Sequence, residues 1–123
     1  MATIIPITEG NLLIASVTGE LNADEVIAVI REYYPNGIVK DIIWDLSHAT
    51  LQSVSRYDLE SIAKATKEAL ACGSRQGGKT VFVGNVTSDY ELLRMYTAIA
   101  EIAEVHIEYN VFKTIKEARR WLK

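Results

Sequence analysis

The sequence predicts an α/β domain: a single mixed sheet of about five strands with four helices, in the order ββαβαβαβα over residues 1–123. Three observations predict it. Short β-rich or continuously apolar runs alternate, from residue 22 onward, with longer stretches of helical periodicity, the pattern of strands joined by helices. All four of those helical stretches open on Asn, Ser or Thr with a carboxylate three residues later, a spacing that lets a side-chain oxygen accept from an early backbone N–H. The composition, 49% hydrophobic and 24% charged over 123 residues, is enough for one compact core.

Each element follows in order. Residues 4–8 and 12–18 are β-rich and are split by Glu9-Gly10-Asn11, so a short turn should pair them antiparallel. Asn22 with Glu25 starts the first helix, in which Val26, Val29, Ile30 and Tyr33 share a face until Pro35-Asn36-Gly37 stops it. Ile42-Ile43-Trp44 is continuously apolar rather than alternating, as suits a central strand covered on both faces. Ser55 and Asp58 frame a second helix with Leu59, Ile62, Ala63, Thr66 and Leu70 on one face, ending near Gly73. Thr80-Val81-Phe82-Val83 is another short buried strand. Ser88 and Glu91 open a third helix through Leu92, Met95, Tyr96, Ile99 and Ala103. Val105, Ile107 and Tyr109 alternate with His106 and Glu108, which predicts a strand with one wet face near a sheet edge. Thr114 and Glu117 cap a last helix carrying Ile115, Ala118 and Leu122.

Several function classes lose support at this level. A net charge of -3 is not the basic balance of a nucleic-acid binder. No apolar run reaches the roughly 20 residues of a membrane span, and the opening Met1-Ala2-Thr3-Ile4-Ile5-Pro6 lacks the basic flank of a signal peptide, so a cytoplasmic location is expected. Cys72 is the single cysteine and has no internal disulfide partner. His48 and His106 stand far apart and outside metal-ligand spacings, and no nucleophile elbow or Ser-His-Asp order appears; neither a bound metal, a cofactor nor an enzymatic activity is expected.

Val17-Thr18-Gly19-Glu20-Leu21-Asn22 resembles the strand-end signature of the STAS family, the domain shared by sulphate transporters and anti-sigma-factor antagonists, with Asn22 where Asp is usual. Ile42-Ile43-Trp44-Asp45-Leu46 is similar to the family's strand before its regulatory loop, and Val111-Phe112-Lys113-Thr114-Ile115-Lys116-Glu117-Ala118-Arg119-Arg120-Trp121-Leu122 to its closing helix. The resemblance implies a non-enzymatic regulatory module that binds a protein, a kinase or an anti-sigma-like regulator, with a serine in the loop before the second helix as phosphoacceptor. In this chain the acceptor position falls on Val54, which has no hydroxyl; Ser53 stands for the acidic residue before it and Arg56 for the glycine. A shift of one residue offers Ser53 or Ser55 instead, and Ser55 is also the natural helix cap.

The candidate binding or phospho-loop therefore comprises Ser47, His48, Thr50, Ser53, Ser55, Arg56, Tyr57 and Asp58, read as a hydroxyl-rich loop over residues 47–56 running into a helix N-terminus, where unpaired N–H groups favour an anion. Two other features compete with it. The third helix is apolar around more than one stripe, which allows a homodimer seam or a pocket for a small hydrophobic or lipid-like ligand lined by Trp44, Phe82, Tyr96 and Ile99; a carrier would need a cavity of several hundred Å3, about 300–1,000 Å3 in known sites. Gly73-Ser74-Arg75-Gln76-Gly77-Gly78-Lys79-Thr80 matches the phosphate-binding pattern G-x-x-x-x-G-K-[ST] letter for letter. It follows a helix and feeds a strand, the reverse of what a phosphate cradle needs, so a helix C-terminus of the wrong partial charge lies beside it. The basic last helix, with Lys113, Lys116, Arg119, Arg120 and Lys123, is read as complementing its own dipole.

Overall fold

The computed structural model describes residues 2–35, 39–71, 73, 75, 78–84 and 87–123. They form β1 (Ala2–Glu9), β2 (Leu12–Glu20), α1 (Ala23–Tyr33), β3 (Asp41–Thr50), α2 (Arg56–Ala69), β4 (Lys79–Val83), α3 (Thr87–Ile102), β5 (Glu108–Phe112) and α4 (Ile115–Leu122). The strands make one sheet in the order β1-β2-β3-β4-β5. β1 and β2 are an antiparallel hairpin that turns at Gly10, whose φ of 62° is left-handed. All later neighbours are parallel.

Because each crossover from β2 to β5 moves one strand in the same direction, right-handed connections put α1, α2 and α3 on one face. That face holds the larger core. Leu13, Ala15 and Val17 of β2, Ile42, Trp44 and Leu46 of β3, and Phe82 and Val111 meet Val26, Ile30, Leu59, Ile62, Leu93, Tyr96 and Ile99. α4 lies on the opposite face over Ile14, Ile43, Val81 and Val83. The uninterrupted apolar run of β3 is explained by this central place, with Ile42 and Trp44 under three helices and Ile43 under α4.

Three of the sequence caps are present as side-chain contacts. Asn22 Oδ1 accepts from Glu25 N–H at 2.9 Å. Ser55 and Asp58 form a reciprocal box, Asp58 N–H to Ser55 Oγ at 3.1 Å and Ser55 N–H to Asp58 Oδ2 at 2.9 Å. Thr114 Oγ1 accepts from Glu117 N–H at 3.2 Å. The third cap differs: α3 already begins at Thr87, so Ser88 is inside its first turn, and its side chain lies outside the described residues.

Two strand boundaries also differ from the sequence reading. β5 starts at Glu108 rather than at Val105. Glu104 takes φ 63° and Val105 N–H returns to Ala100 O at 2.9 Å, which ends α3 in a left-handed turn and uses up the residues expected to be strand. β3 runs on to Thr50. Its register against β2 slips by one residue between the Ser16–Asp45 and Thr18–His48 pairs, so a bulge lets a polar stretch stay in the ladder.

Each sheet edge carries one residue whose backbone cannot fully join a further strand. Pro6 lies within β1 and offers no N–H. On β5, Val111 N–H donates to Asn110 Oδ1 at 2.8 Å and Val111 O accepts from Tyr90 Oη at 3.3 Å.

Candidate functional site

Since β2 to β5 are parallel, every strand-to-helix junction falls on one edge of the sheet, and the N-termini of the helices gather there. The junction between β3 and α2 carries the hydroxyl cluster. The extended β3 changes which residues belong to the loop: Ser47, His48 and Thr50 are strand residues, and the connection is residues 51–55. Ser47 is held at the bulge, its Oγ donating to Asp45 Oδ1 at 2.6 Å and its N–H to the same oxygen at 3.1 Å, with His48 Nδ1 3.2 Å from Ser47 Oγ. Asp45, which the sequence leaves as an unassigned strand-end carboxylate, organises that bulge through a side-chain turn two residues long. Ser47, tied twice to Asp45 and half-buried, is poorly placed for modification.

The short loop is pinned at both ends and exposed between. Leu51 is buried and Val54 half-buried against the larger core, and Val54 N–H donates to Leu51 O at 3.1 Å, closing a tight turn. Leu21 N–H donates to Thr50 O at 3.0 Å, which ties the end of β2 beside it. Val54, where the resemblance places the acceptor, is thus an anchor of the loop. Ser53 projects to solvent and its hydroxyl donates to Glu20 Oε1. Ser55 Oγ is committed to the α2 cap. Arg56 is exposed and 3.8 Å from Glu60, and Tyr57 is 75% exposed. Ser53, Ser55, Arg56, Tyr57 and Asp58 therefore lie together around the first turn of α2, whereas Ser47 and His48 lie apart on the bulge. Sequence reasoning missed Glu20 as a member of the site. The signal was available: a hairpin and one parallel crossover bring the end of β2 next to the end of β3.

Trp44, Phe82 and Tyr96 line one apolar cavity with Leu51, Val54 and Tyr109, while Ile99 does not. The cavity holds about 50 Å3, room for a water or two and far below what a lipid chain requires. Aromatic packing fills the rest. Phe82 and Tyr109 stack at 5.9 Å, both meet Tyr96 edge-on at 5.6 Å, and Trp44 Nε1 donates to Tyr34 Oη at 3.1 Å. Burial pushes the Tyr96 phenol up to about 12 and raises Tyr34 and Tyr109 as well.

The phosphate-pattern segment lies at the opposite edge of the sheet, and its described landmark residues have structural roles. Gly73 ends α2 with φ 85°, its N–H on Leu70 O at 3.0 Å. A Cβ on Gly78 would sit 2.2 Å from Lys40 O. Lys79 Nζ lies 4.9 Å over the Trp121 ring on the α4 side. Thr80 Oγ1, fully buried on the other side, accepts from Arg75 Nη2 at 2.8 Å. Ser74, Gln76 and Gly77, with Cys72, lie outside the described residues. The lysine and threonine that a phosphate would need point to opposite faces of the sheet.

Among the described residues no group of three or more His, Cys, Asp or Glu is placed to hold a metal ion, and no helix is long and apolar enough to cross a membrane. His106 is exposed and His48 reaches only Ser47.

No protein-family model matches the sequence, and no curated protein matches it. Solved structures do. An anti-sigma factor antagonist from Mycobacterium paratuberculosis superposes with a TM-score of 0.70 at 15% identity, over 99% of this chain and 94% of that one. The unphosphorylated form of the anti-sigma factor antagonist SpoIIAA gives 0.59 at 14% identity, over 97% and 96%. An uncharacterised DUF3478-family protein with a SpoIIAA-like fold from Shewanella loihica gives 0.56 at 14% identity, over 99% and 94%. Element order, mixed sheet and near-complete coverage agree: the chain has the fold of these anti-sigma factor antagonists.

Proposed function

We propose that the chain is a non-enzymatic regulatory module that binds a protein partner through residues 51–58, with the Ser53 hydroxyl as its modifiable group. The observation that carries this reading is the position of Ser53. It is exposed, it is the loop hydroxyl left over once Ser55 serves as cap, and it touches Glu20 across the β2–β3 strand ends. A phosphate there brings a charge of about -1.5 to -2. The hydrogen bond from the uncharged hydroxyl to the Glu20 carboxylate would become repulsion between two anions, and the α2 N-terminus and Arg56 would draw the phosphate the other way. The loop would swing from the β2 side to the α2 side while Leu51 stays buried. Exposed Tyr57, a residue type that anchors protein interfaces, lies one turn along.

The fold shared with anti-sigma-factor antagonists supports a regulatory protein-binding role, a cytoplasmic setting, and a kinase or an anti-sigma-like regulator as the partner. The test is a photo-crosslinking amino acid placed at Tyr57 in the native cells, with a second protein carrying it at Ile102. The reading expects a discrete adduct from position 57, lost when Ser53→Asp is added. An adduct from position 102 alone would overturn it.

A further inference from the structure

The second face of the sheet is only half covered. α4 packs on β3, β4 and β5 through Ile115, Ala118, Trp121 and Leu122. A helix about 10 Å across spans roughly two strands at about 4.8 Å spacing; Ile14 of β2 is still buried beneath it, and the part of this face over β1 and the Ser16 end of β2 stays open. Ile5 and Ile7 stand there opposite Ser16 and Ile14, and are 54% and 49% exposed. The result is a lane with an apolar floor and α4 as its wall. Arg119 fixes that wall, donating from Nη1 and Nη2 to Glu9 Oε1 and Oε2 at 3.1 and 2.9 Å.

The wall is strongly charged. Residues 113–123 carry five cations and one carboxylate, whereas the rest of the chain carries eight cations and fifteen carboxylates. Lys116, Arg120 and Lys123 recur at i, i+4 and i+7, on the side of α4 opposite its buried stripe. All three are exposed, and none belongs to the Arg56–Glu60 or Arg119–Glu9 pairs, the ion pairs formed among the described residues.

We propose that this lane docks an amphipathic helix of a protein partner, its apolar stripe on Ile5 and Ile7 and its acidic flank along α4. An exposed apolar strip beside a cationic ridge fits that shape and charge. A flat anionic membrane fits worse, because α4 stands a helix diameter above the floor and would hold the isoleucines away from the lipid. A second copy related by a two-fold axis would bring two cationic ridges together. The surface lies on the sheet face, away from residues 51–58, and does not depend on the reading of that loop.

The test is a nuclear magnetic resonance titration of the whole chain with a designed helical peptide of about 15 residues, bearing a leucine stripe and a glutamate flank, against the same peptide with a lysine flank. The expected result is amide shifts at Ile5, Ile7, Ser16, Lys116 and Arg120. Affinity should be about tenfold weaker for the lysine peptide, for Ile7→Asp, and for the Lys116→Glu/Arg120→Glu double variant. Ile7, Lys116 and Arg120 are exposed, so these variants keep the fold, and an unchanged circular dichroism spectrum checks it. Equal binding of both peptides, or shifts confined to other surfaces, overturns the proposal. So does a lane occupied otherwise: phosphatidylserine vesicles bound in an Ile7-dependent way, or a dimer that Ile7→Asp dissociates.

Discussion

The two edges of the sheet carry similar residues and put them to opposite uses. At the carboxyl ends of the parallel strands, residues 51–55 present Ser53 to solvent and, of their two hydroxyls, spend only Ser55 on structure. At the amino ends, the connector into β4 contains a complete phosphate-binding pattern, and its described landmarks serve structure: Gly73 turns the chain out of α2, and Gly78, Lys79 and Thr80 pack. The difference lies in which helix terminus faces the segment and in which neighbours take its side chains. A helix N-terminus leaves N–H groups wanting an anion; a helix C-terminus leaves carbonyls, and Arg75 is bent inward to meet carbonyls of the sheet.

The largest expected effects break the amino edge. Arg75 is 4% exposed, donates to Lys40 O, Lys79 O and Thr80 Oγ1 at 2.8–2.9 Å, and lies 4.6 Å from the centre of the Tyr34 ring. Gly78→Ala forces a carbon against the Lys40 carbonyl, and Arg75→Met takes the donor from the buried Thr80 hydroxyl and from two partly buried carbonyls. Each should destabilise by about 3 kcal/mol in urea unfolding; a loss below about 1 kcal/mol would show that the edge is not packed as described. At the same edge and in the aromatic cluster above it, burial holds the phenols of Tyr34, Tyr96 and Tyr109 neutral, with Tyr96 raised to about 12. A group with a raised native pKa contributes fully below its unfolded value and loses that contribution as pH climbs through the native one. Stability should therefore hold up to about pH 10 and fall from there toward pH 12, with tyrosinate absorbance of these phenols appearing only as the chain unfolds. Normal titration of every tyrosine in folded protein would contradict the burial.

Smaller effects belong to the carboxyl edge and sharpen the contrast. Ser55→Ala removes the α2 cap and should cost about 1 kcal/mol. Ser53→Ala, two residues away, should change stability by less than about 0.5 kcal/mol, because its hydroxyl is solvent-exposed; a larger loss would make Ser53 structural rather than regulatory. At the bottom of the scale, adding ATP at about 1 mM should leave the amide signals of Gly78, Lys79 and Thr80 where they are. Saturable shifts there would restore the phosphate-binding reading.

Much of the architecture was readable because it rests on local chemistry. The caps at Asn22, Ser55 and Thr114 and the unbroken run of β3 each carry their own signal. What sequence reasoning misplaced depended on tertiary context. The bulge at Asp45–Ser47 keeps polar residues 47–50 in the sheet, where composition reads as loop, and the left-handed Glu104 delays β5. The aromatic side chains taken for a ligand pocket mostly satisfy one another. Glu20 and Ser53 are 33 residues apart, so their contact carries no local signal and is legible only through the pairing of β2 with β3.

Phosphopeptide mapping of the protein isolated from its own cells, alongside Ser53→Ala, bears on the loop most directly. The account predicts phosphate on Ser53, none on Ser55, and none on residues 41–58 of the variant. A peptide carrying no phosphate at Ser47, Thr50, Ser53 or Ser55 under conditions where the partner is engaged and released would contradict it.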